Sequence, residues 1–331
     1  MDKKSATAGM EDEKSMQAPI LKQIEVNTLE KDPFTPVSIV GNHYLPSRSL
    51  SIFGGQIIGQ AILAAHATVK EGLSIHAFHG NFIDRTDPTQ AVAYRVSPIR
   101  TGNTISNRLV HAFQYTRLVF IATVSFHMFE ESPVLKYNSS LRPDFPSIES
   151  MDPVVRSDYY QMIFHDGMKE NDEILSAAIE VKHKLQKSNE MPDGFEPPKK
   201  SSDAGKQNIE TGRMPTSALS PIYQYLRIRG QLPHHPKYRT SAFAMASDAF
   251  SSQLPAVLIP HQNISWITSL DHIIYFHKPF DPTKWLAVEN RVTVADGGRG
   301  VIEMKYWNEE GDLVATVLQE GMFRGKSKAK L

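Results

Sequence analysis

The two halves of the chain carry the same pattern, and this repeat constrains the fold more than any other feature of the sequence. Phe276 follows Phe82 by 194 positions, and the same offset joins further matched residues. These are Asp87-Pro88 with Asp281-Pro282, Ala93 with Ala287, and Met128-Phe129 with Met322-Phe323. A shared spacing over about fifty positions indicates a duplication, so we expect two similar folded units.

The first half predicts one helix followed by four strands. Apolar residues lie almost all round a helix from Gly54 to about Val69, which indicates burial on most of its faces. The small residues Gly55 and Gly59 predict that a sheet packs closely against this helix. Runs rich in β-branched and aromatic residues predict strands at 74–84, 91–99, 104–114 and 117–130.

The second half predicts the same order of elements. A shorter helix is expected from Asp248 to about Leu258, interrupted by Pro255. Residues 174–184 are expected to hold a helix end and the leading strand of this unit, and further strands are predicted at 268–277, 285–295, 300–308 and 313–323. One helix against a long antiparallel sheet, occurring twice, is an α+β fold.

The composition of successive segments predicts the domain boundaries. Residues 1–19 are charged and polar and predict a disordered N-terminal tail. The N-terminal unit is expected at 20–135 and the C-terminal unit at 220–324. Residues 136–219 are rich in Pro, Ser and Lys and predict a linker that carries the leading strand of the second unit. Residues 325–331 form a basic tail.

The composition also excludes several kinds of partner and site. The 36 basic and 36 acidic residues cancel, so no overall field attracts nucleic acid. The absence of cysteine excludes disulfides, thiolate zinc sites and cysteine nucleophiles. The longest apolar stretch, 52–67, contains two glutamines and is too short to span a bilayer. We expect no cofactor, no metal and no membrane span, and the sequence leaves homo-oligomer formation open.

Four separated motifs identify a family. They are Phe53-Gly54-Gly55-Gln56-Ile57-Ile58-Gly59-Gln60-Ala61, Ser247-Asp248, Ser269-Leu270-Asp271-His272 followed by Phe276-His277-Lys278-Pro279-Phe280, and Val317-Leu318-Gln319-Glu320-Gly321. In this order they resemble the acyl-CoA thioesterase II family, the TesB-like proteins and their peroxisomal relatives. The resemblance covers most of the chain outside residues 1–17 and the linker. It implies an acyl-CoA substrate and a double hotdog fold, in which two fused units replace a dimer of single ones.

The resemblance implies three catalytic residues, Asp248, Ser269 and Gln319, which in the family position a water that attacks the thioester carbonyl directly. A carboxylate can accept the proton of that water, and a hydroxyl and an amide can each donate and accept hydrogen bonds to fix water and carbonyl. Each residue also has a structural interpretation. Asp248 could be a helix N-cap, Ser269 a strand hydroxyl and Gln319 a solvated strand residue.

The first unit lacks this set, because Gly54, Ile75 and Ser125 stand at the same offset. We therefore expect one site per chain. The turn Gly54-Gly55-Gln56 offers backbone N–H groups at a helix N-terminus, which suit a developing oxyanion or a phosphate. These three residues are candidate substrate-binding residues in the other wall of the site.

Two other functions remain open. An enoyl-CoA hydratase or dehydratase on the hotdog fold would need an aspartate and a histidine that face one another, whereas Asp271 and His272 are adjacent on a strand and face apart. A strand histidine satisfied by hydrogen bonds is the better interpretation of His272. A non-catalytic acyl-CoA-binding protein would have no use for a proton acceptor beside the carbonyl.

The last three residues, Ala329-Lys330-Leu331, are a close variant of the Ser-Lys-Leu peroxisomal address. They end a polar, basic run that begins at Gly325 and suits capture by a receptor groove. The alternative is a solvated basic tail. We predict location in the peroxisomal matrix, with the import receptor as a partner that binds Ala329, Lys330 and Leu331.

Overall fold

The structure is a computed structural model that describes residues 16–29, 32–46, 50–130, 134–154, 173–183, 221–249 and 264–325. The predicted address at 329–331, most of the predicted N-terminal tail and much of the predicted linker lie outside these ranges. No helix within these ranges is long and apolar enough to cross a membrane.

Four α-helices and fourteen strands make up the described part of the chain. The helices are α1 (Ile20–Ile24), α2 (Gly54–His66), α3 (Glu173–Ala178) and α4 (Pro236–Ser247). The first six strands are β1 (Val26–Leu29), β2 (Asp32–Ser38), β3 (Leu73–Phe82), β4 (Ala93–Thr101), β5 (Ile105–Gln114) and β6 (Arg117–Met128). The others are β7 (Asp152–Val154), β8 (Ile179–His183), β9 (Ile222–Ile228), β10 (Ile264–Ser269), β11 (Asp271–Phe276), β12 (Leu286–Asp296), β13 (Arg299–Trp307) and β14 (Leu313–Gly325).

All strands belong to one sheet that runs through both halves of the chain. Its order is β1-β2-β4-β5-β6-β3-β11-β14-β13-β12-β9-β8-β7, with β10 also paired to β14. The halves join where β3 runs antiparallel to β11, and there His79 lies opposite Ile273. These two residues are 194 positions apart, so the repeat relates the two halves by an approximate twofold axis through this pair.

Irregularities of the strand ladder also recur in both halves. The register shifts between Pro98 and Arg100 in the pair of β4 with β5. It shifts again between Val292 and Val294 in the pair of β12 with β13. A β-bulge is a local feature that a family retains, so its recurrence at the same offset supports the duplication.

The predicted strands agree with the observed ones to within a few residues, except that the strand expected at 268–277 is divided at Leu270 into β10 and β11. The helix end and strand expected at 174–184 are observed as α3 and β8. The strands β1, β2, β7 and β9 were not predicted. In the sheet β2 and β9 occupy equivalent places beside β4 and β12, but their paired residues Val37 and Tyr225 do not follow the offset of 194, so the repeat in the sequence does not reveal them.

The predicted helix of the second unit is wrong. The sequence predicted a helix that begins at Asp248, whereas α4 ends at Ser247 and Asp248 is its C-cap. Residues 250–258 of the prediction lie outside the described residues. The offset of 194 holds for β3, β4 and β5 with their counterparts β11, β12 and β13. It fails for the helix, because the connection from helix to strand is longer in the second half than between α2 and β3.

The N-terminal residues of α4 and its burial explain why the sequence pattern did not predict this helix. Pro236 occupies the first turn, and the His235 side chain accepts a hydrogen bond from the backbone N of Lys237 at 3.2 Å. All residues from Ser241 to Ser247 are buried. A helix that is buried on every side of its last two turns shows no polar stripe in the sequence.

The small residues of α2 pack against α4 rather than against the sheet that the sequence predicted. A methyl group built on Gly55 would lie 2.5 Å from the carbonyl oxygen of Met245, and one built on Gly59 would lie 2.9 Å from that of Ser241. The two helices therefore run antiparallel in close contact. This contact brings the N-terminus of α2 beside the C-terminus of α4.

The inner face of the sheet packs against these helices and forms the core. Its buried residues include Val110, Ala112, Val124 and Phe126 in the first half and Ile302, Met304, Ala315 and Val317 in the second. Both units thus place one long helix on an antiparallel sheet, which is the α+β arrangement expected from the sequence.

Part of the predicted linker is docked on the second unit. The indole nitrogen of Trp307 donates to the carbonyl oxygen of Ser139 at 2.8 Å. The ring of Phe145 lies edge-on to Tyr225, with the ring centres 5.6 Å apart. These contacts hold the first residues of the segment against the outer face of β9 and β13.

We predict that Gly59→Ala lowers the midpoint of thermal unfolding, although alanine is the better helix former. The added methyl would lie 2.9 Å from the Ser241 carbonyl oxygen, so the helices must move apart, at a cost of about 1–3 kcal/mol. Gly41→Ala is the control, because a methyl there meets nothing within 4 Å. Melting curves of both variants by circular dichroism test this, and an unchanged midpoint for Gly59→Ala would contradict the close contact.

Candidate active site

Three polar side chains from distant parts of the chain meet at the end of α4. Asp248 caps this helix, Ser269 ends β10, and Gln319 lies within β14. The Gln319 Nε2 donates hydrogen bonds to Asp248 Oδ1 at 2.8 Å and to Ser269 Oγ at 2.6 Å. The structure therefore brings together all three residues that the resemblance implied, with the Gln319 amide as the link.

Asp248 lies between the ends of two helices. It is only 4% exposed, and it closes α4, where the helix dipole disfavours a negative charge. On its other side, a methyl group built on Gly54 would lie 3.0 Å from Asp248 Oδ2, so the N-terminus of α2 faces the carboxylate. The N-cap interpretation of Asp248 is wrong, because the residue ends its helix.

Gln319 and Ser269 lie on the inner face of the sheet. Gln319 is 1% exposed, so its interpretation as a solvated strand residue is wrong. Ser269 is half-buried, and its Oγ accepts the hydrogen bond from Gln319. The Ser269 hydroxyl only accepts in this bond, so its own hydrogen can be donated to another acceptor.

His272 is a fourth polar residue of the site, and sequence analysis did not assign it there. Its side chain is fully buried, and Nδ1 lies 3.0 Å from Gln319 Oε1 and 3.9 Å from Asp248 Oδ1. Its Nε2 lies 2.9 Å from Ser247 Oγ. The prediction of a strand histidine satisfied by hydrogen bonds is confirmed, but its partners belong to the site or adjoin it.

A bulge explains why His272 was missed. The register of the strands on β14 shifts by one residue at Leu270, between Ser269 and His272. Strict alternation places residues three apart on opposite faces of a sheet, whereas the bulge turns both of these side chains toward the helices. A register shift also occurs at the equivalent place in the first unit, between Ile75 and Ala77. Both shifts are seen only in the strand pairing, so no pattern in the sequence could have revealed the placement of His272.

Burial shifts the pKa values of the ionisable side chains in and beside the site. Burial lowers the pKa of His272 to about 4, against the opposing effect of the hydrogen bond with Gln319. Burial and the charge of Asp248 together raise the pKa of the Tyr306 phenol. Both rings are therefore neutral at ordinary pH, and hydrogen bonds among the site residues are stronger than they would be in water.

The three candidate substrate-binding residues differ in their placement. Gly54 lies beside Asp248 at the start of α2, whereas Gly55 faces α4. The Gln56 side chain accepts a hydrogen bond from the backbone N of Tyr44 at 2.8 Å and donates to the Gln23 carbonyl oxygen at 2.8 Å. This amide holds neighbouring segments together, and the backbone N of Gln56 donates to the Phe53 carbonyl oxygen at 3.1 Å, so neither group is left for contact with substrate.

The counterpart of Asp248 in the first unit is not Gly54, as the uniform offset suggested. Asp248 is the C-cap of α4, and the C-cap of α2 is Ala67. The equivalent position of the first unit therefore carries no carboxylate, and the imidazole of His66 precedes it in the last turn of α2. Ile75 remains the counterpart of Ser269, since the offset holds for β3 and β11.

The counterpart of Gln319 is also shifted. Gln319 lies opposite Ile302 in β13. The residue 194 positions before Ile302 is Arg108, and it lies opposite Val124. The counterpart is therefore Val124 rather than Ser125. The hairpin between the paired Trp307 and Leu313 holds one more residue than the hairpin between the paired Phe113 and Leu118.

The structure also bears on the hydratase interpretation. Asp271 faces away from the site, and its Oδ1 accepts a hydrogen bond from the backbone N of Glu320 at 2.7 Å. Asp248 and His272 do face one another, but the imidazole is fully buried with its ring nitrogens beside Gln319 and Ser247. An imidazole held in this way presents no nitrogen to a substrate. Among the described residues there is no group of three or more potential metal ligands.

Comparison with known sequences identifies relatives over most of the chain. Residues 44–127 match the sequence model of the acyl-CoA thioesterase N-terminal domain, and residues 182–323 match that of the acyl-CoA thioesterase C-terminal domain. The chain is 31% identical to acyl-coenzyme A thioesterase 8 of Homo sapiens, over 94% of this chain and 93% of that protein. It is 23% identical to peroxisomal acyl-coenzyme A thioester hydrolase 1 of Saccharomyces cerevisiae, over 88% of this chain and 92% of that protein.

Solved structures show the same architecture. The acyl-CoA thioesterase II TesB2 from Mycobacterium marinum matches with a TM-score of 0.65 and 21% sequence identity, over 93% of this chain and 99% of that chain. At this identity the likeness concerns the fold. It confirms the double hotdog architecture that the sequence motifs implied.

We predict that the free energy of unfolding falls as the pH falls from about 7 to about 5. Burial lowers the pKa of His66, His183 and His272 from 6.5 to about 4. In this window the unfolded chain binds protons that the native chain does not, so each of these residues removes up to about 1.4 kcal/mol of stability per pH unit. Urea denaturation at pH 7, 6 and 5 measures this, and constant or rising stability on acidification would contradict the buried neutral histidines.

Proposed function

The chain belongs to the TesB-like acyl-CoA thioesterase family, and from this premise we propose that it hydrolyses fatty acyl-CoA to a free fatty acid and CoA at Asp248, Ser269 and Gln319. The observation that carries the proposal is the Gln319 amide, whose nitrogen bonds the carboxylate and the hydroxyl at the same time. Gln319 thereby joins Asp248, 71 positions before it, and Ser269, 50 positions before it, in one polar group.

The proposed reaction is a direct attack by water. A thioester carbonyl is electrophilic, so an oriented water and a proton acceptor suffice without a covalent intermediate or a cofactor. Asp248 takes a proton from the water as the water oxygen bonds to the carbonyl carbon. The carbon–sulfur bond then breaks, and the proton passes from Asp248 to the sulfur of the leaving CoA.

Ser269 and Gln319 orient the reacting groups in this proposal. The two N–H groups of the Gln319 amide fix the carboxylate of Asp248 relative to the hydroxyl of Ser269. The Ser269 hydroxyl hydrogen then points to the attacking water or to the developing oxyanion. Burial of the group strengthens each of these hydrogen bonds in the transition state.

We assign the other wall of the site to the first unit. The backbone N–H groups at the start of α2 face Asp248, and the same helix end suits a developing oxyanion or a phosphate of CoA. Gly54 is the residue best placed for this contact, and Gly55 follows it in the first turn, whereas the backbone N of Gln56 already donates to the Phe53 carbonyl oxygen. The acyl-CoA site would then lie between the two units.

We further propose that the protein works in the peroxisomal matrix. The tripeptide Ala329-Lys330-Leu331 at the end of the chain resembles the Ser-Lys-Leu address that the import receptor binds. The name of the relative from Saccharomyces cerevisiae describes that protein as peroxisomal, which supports the same location. Acyl-CoA esters are the intermediates of fatty-acid oxidation, so the proposed substrate fits the proposed location.

Substitution of the three site residues tests the reaction. We expect Asp248→Asn, Ser269→Ala and Gln319→Ala each to lower kcat by about 10² or more, the scale of losing a proton acceptor or an oxyanion donor. Combined losses should be far from additive, because the three residues form one hydrogen-bonded group that positions a single water. Release of free thiol from acyl-CoA esters measures each rate.

Ser125→Ala is the matched control for Ser269→Ala. Ser125 is a strand serine of the first unit, and its Oγ accepts a hydrogen bond from Asn107 Nδ2 at 2.7 Å. This variant should keep the wild-type kcat. Near-wild-type turnover in Asp248→Asn would exclude Asp248 as the proton acceptor.

Deletion of Ala329 to Leu331 tests the location. The truncated protein should remain in the cytosol and keep full activity in a test tube, since the address is read by a receptor and takes no part in the reaction. Fluorescence microscopy of the truncated protein, expressed without any full-length copy, provides the measurement. Import of the truncated protein would show that the tripeptide is only a tail.

A further inference from the structure

His272 has no part in the proposed reaction, yet it is fully buried against the site residues. Its Nδ1 lies 3.0 Å from Gln319 Oε1, and its Nε2 lies 2.9 Å from Ser247 Oγ. We propose that His272 is a positioning residue, which holds the Gln319 amide in the one orientation that serves Asp248 and Ser269. This inference rests on the proposed function and extends it to a residue that does not touch the substrate.

The orientation of the Gln319 amide decides what it can do. With Nε2 toward Asp248 and Ser269, the amide donates one hydrogen to each of them. Rotated by half a turn, it would place Oε1 against the carboxylate oxygen, and neither partner would receive a hydrogen. The two ends of an amide have nearly the same shape, so packing alone does not select between the two orientations.

Hydrogen bonding from His272 does select between them. An amide oxygen cannot donate, so the short contact of Gln319 Oε1 with Nδ1 requires the hydrogen on Nδ1. In a neutral ring Nε2 is then an acceptor, and the Ser247 hydroxyl can donate to it. Ser247 thus donates to His272, His272 donates to Gln319, and Gln319 donates to the carboxylate of Asp248.

One further observation fits this direction of donation, and a second shows a carbonyl oxygen that competes with His272 for the Ser247 hydrogen. Burial lowers the pKa of His272 to about 4, so the ring is neutral and only one of its nitrogens carries a hydrogen. The Ser247 hydroxyl also lies 2.9 Å from the carbonyl oxygen of Ala244, and its single hydrogen serves one acceptor at a time. Donation to His272 satisfies a buried Nε2 that would otherwise lose about 1–3 kcal/mol of hydrogen bonding.

Three substitutions of His272 separate positioning from packing. His272→Asn places an amide nitrogen where Nδ1 was, one bond from Cγ, and can still donate to Gln319. His272→Gln carries its amide one bond further, where Nε2 was, and His272→Leu has no donor. Glutamine is closer to histidine in volume than asparagine is, so a packing role predicts that His272→Gln keeps more activity than His272→Asn.

Positioning predicts the opposite order. We expect kcat of His272→Asn within about threefold of wild type, and kcat of His272→Gln and His272→Leu lower by about 10- to 100-fold, with KM changed by less than about threefold. Ser247→Ala should lower kcat in the wild-type background but have no further effect in His272→Asn, because asparagine does not depend on that hydroxyl. Melting curves of all variants identify any loss that comes from unfolding.

Measurement of Gln319→Ala under the same conditions distinguishes the role of His272 from the proposed function on which it rests. Loss of activity in Gln319→Ala together with a wild-type kcat in His272→Leu would overturn the role of His272 and leave the proposed function standing. A higher kcat in His272→Gln than in His272→Asn would overturn it as well. If Gln319→Ala itself keeps the wild-type kcat, the roles of Gln319 and His272 both fail. Absence of thiol release by the wild-type protein would overturn the proposed function. The Asn and Gln variants are both polar and remain informative if His272→Leu does not fold.

Discussion

The close antiparallel contact between α2 and α4 is the interaction on which the site depends. Because Gly55 and Gly59 have no side chains, the backbone of α2 lies directly against carbonyl groups of α4. The positive end of α2 is thereby brought to Asp248, which sits at the negative end of α4 in a buried position. A carboxylate there would be costly without that helix end and the hydrogen bond from Gln319.

The same contact explains why a fused pair of units suits this arrangement. In a dimer of identical units, the two ends of the helix pair must carry the same residues, whereas a duplicated chain lets the ends diverge. One end holds Asp248 with its hydroxyl and amide partners. The other end holds His66, Ile75 and Val124, of which the latter two are apolar. In the described part of the chain, the carboxylate, the hydroxyl and the amide therefore occur together at one end of the helix pair and not at the other.

The repeated strands could be predicted from the sequence, because a period of two and a constant offset leave a clear record of a sheet. The helix α4 could not, since its last two turns are buried on every side and carry no amphipathic stripe. Small insertions caused the other errors. One extra residue in the hairpin between the paired Trp307 and Leu313 moved the counterpart of Gln319, and the bulge at Leu270 concealed that His272 shares a face with Ser269. The family motifs named the three site residues, but only the structure joins them through the Gln319 amide.

A structure of the protein with a non-hydrolysable acyl-CoA analogue, in which a methylene separates the carbonyl from the sulfur, tests the central claim most directly. The account predicts one analogue per chain, with its carbonyl beside Asp248, Ser269 and Gln319 and its CoA portion near the start of α2. An analogue whose carbonyl lies at the opposite end of the helix pair, beside His66, or two analogues bound per chain, would contradict it.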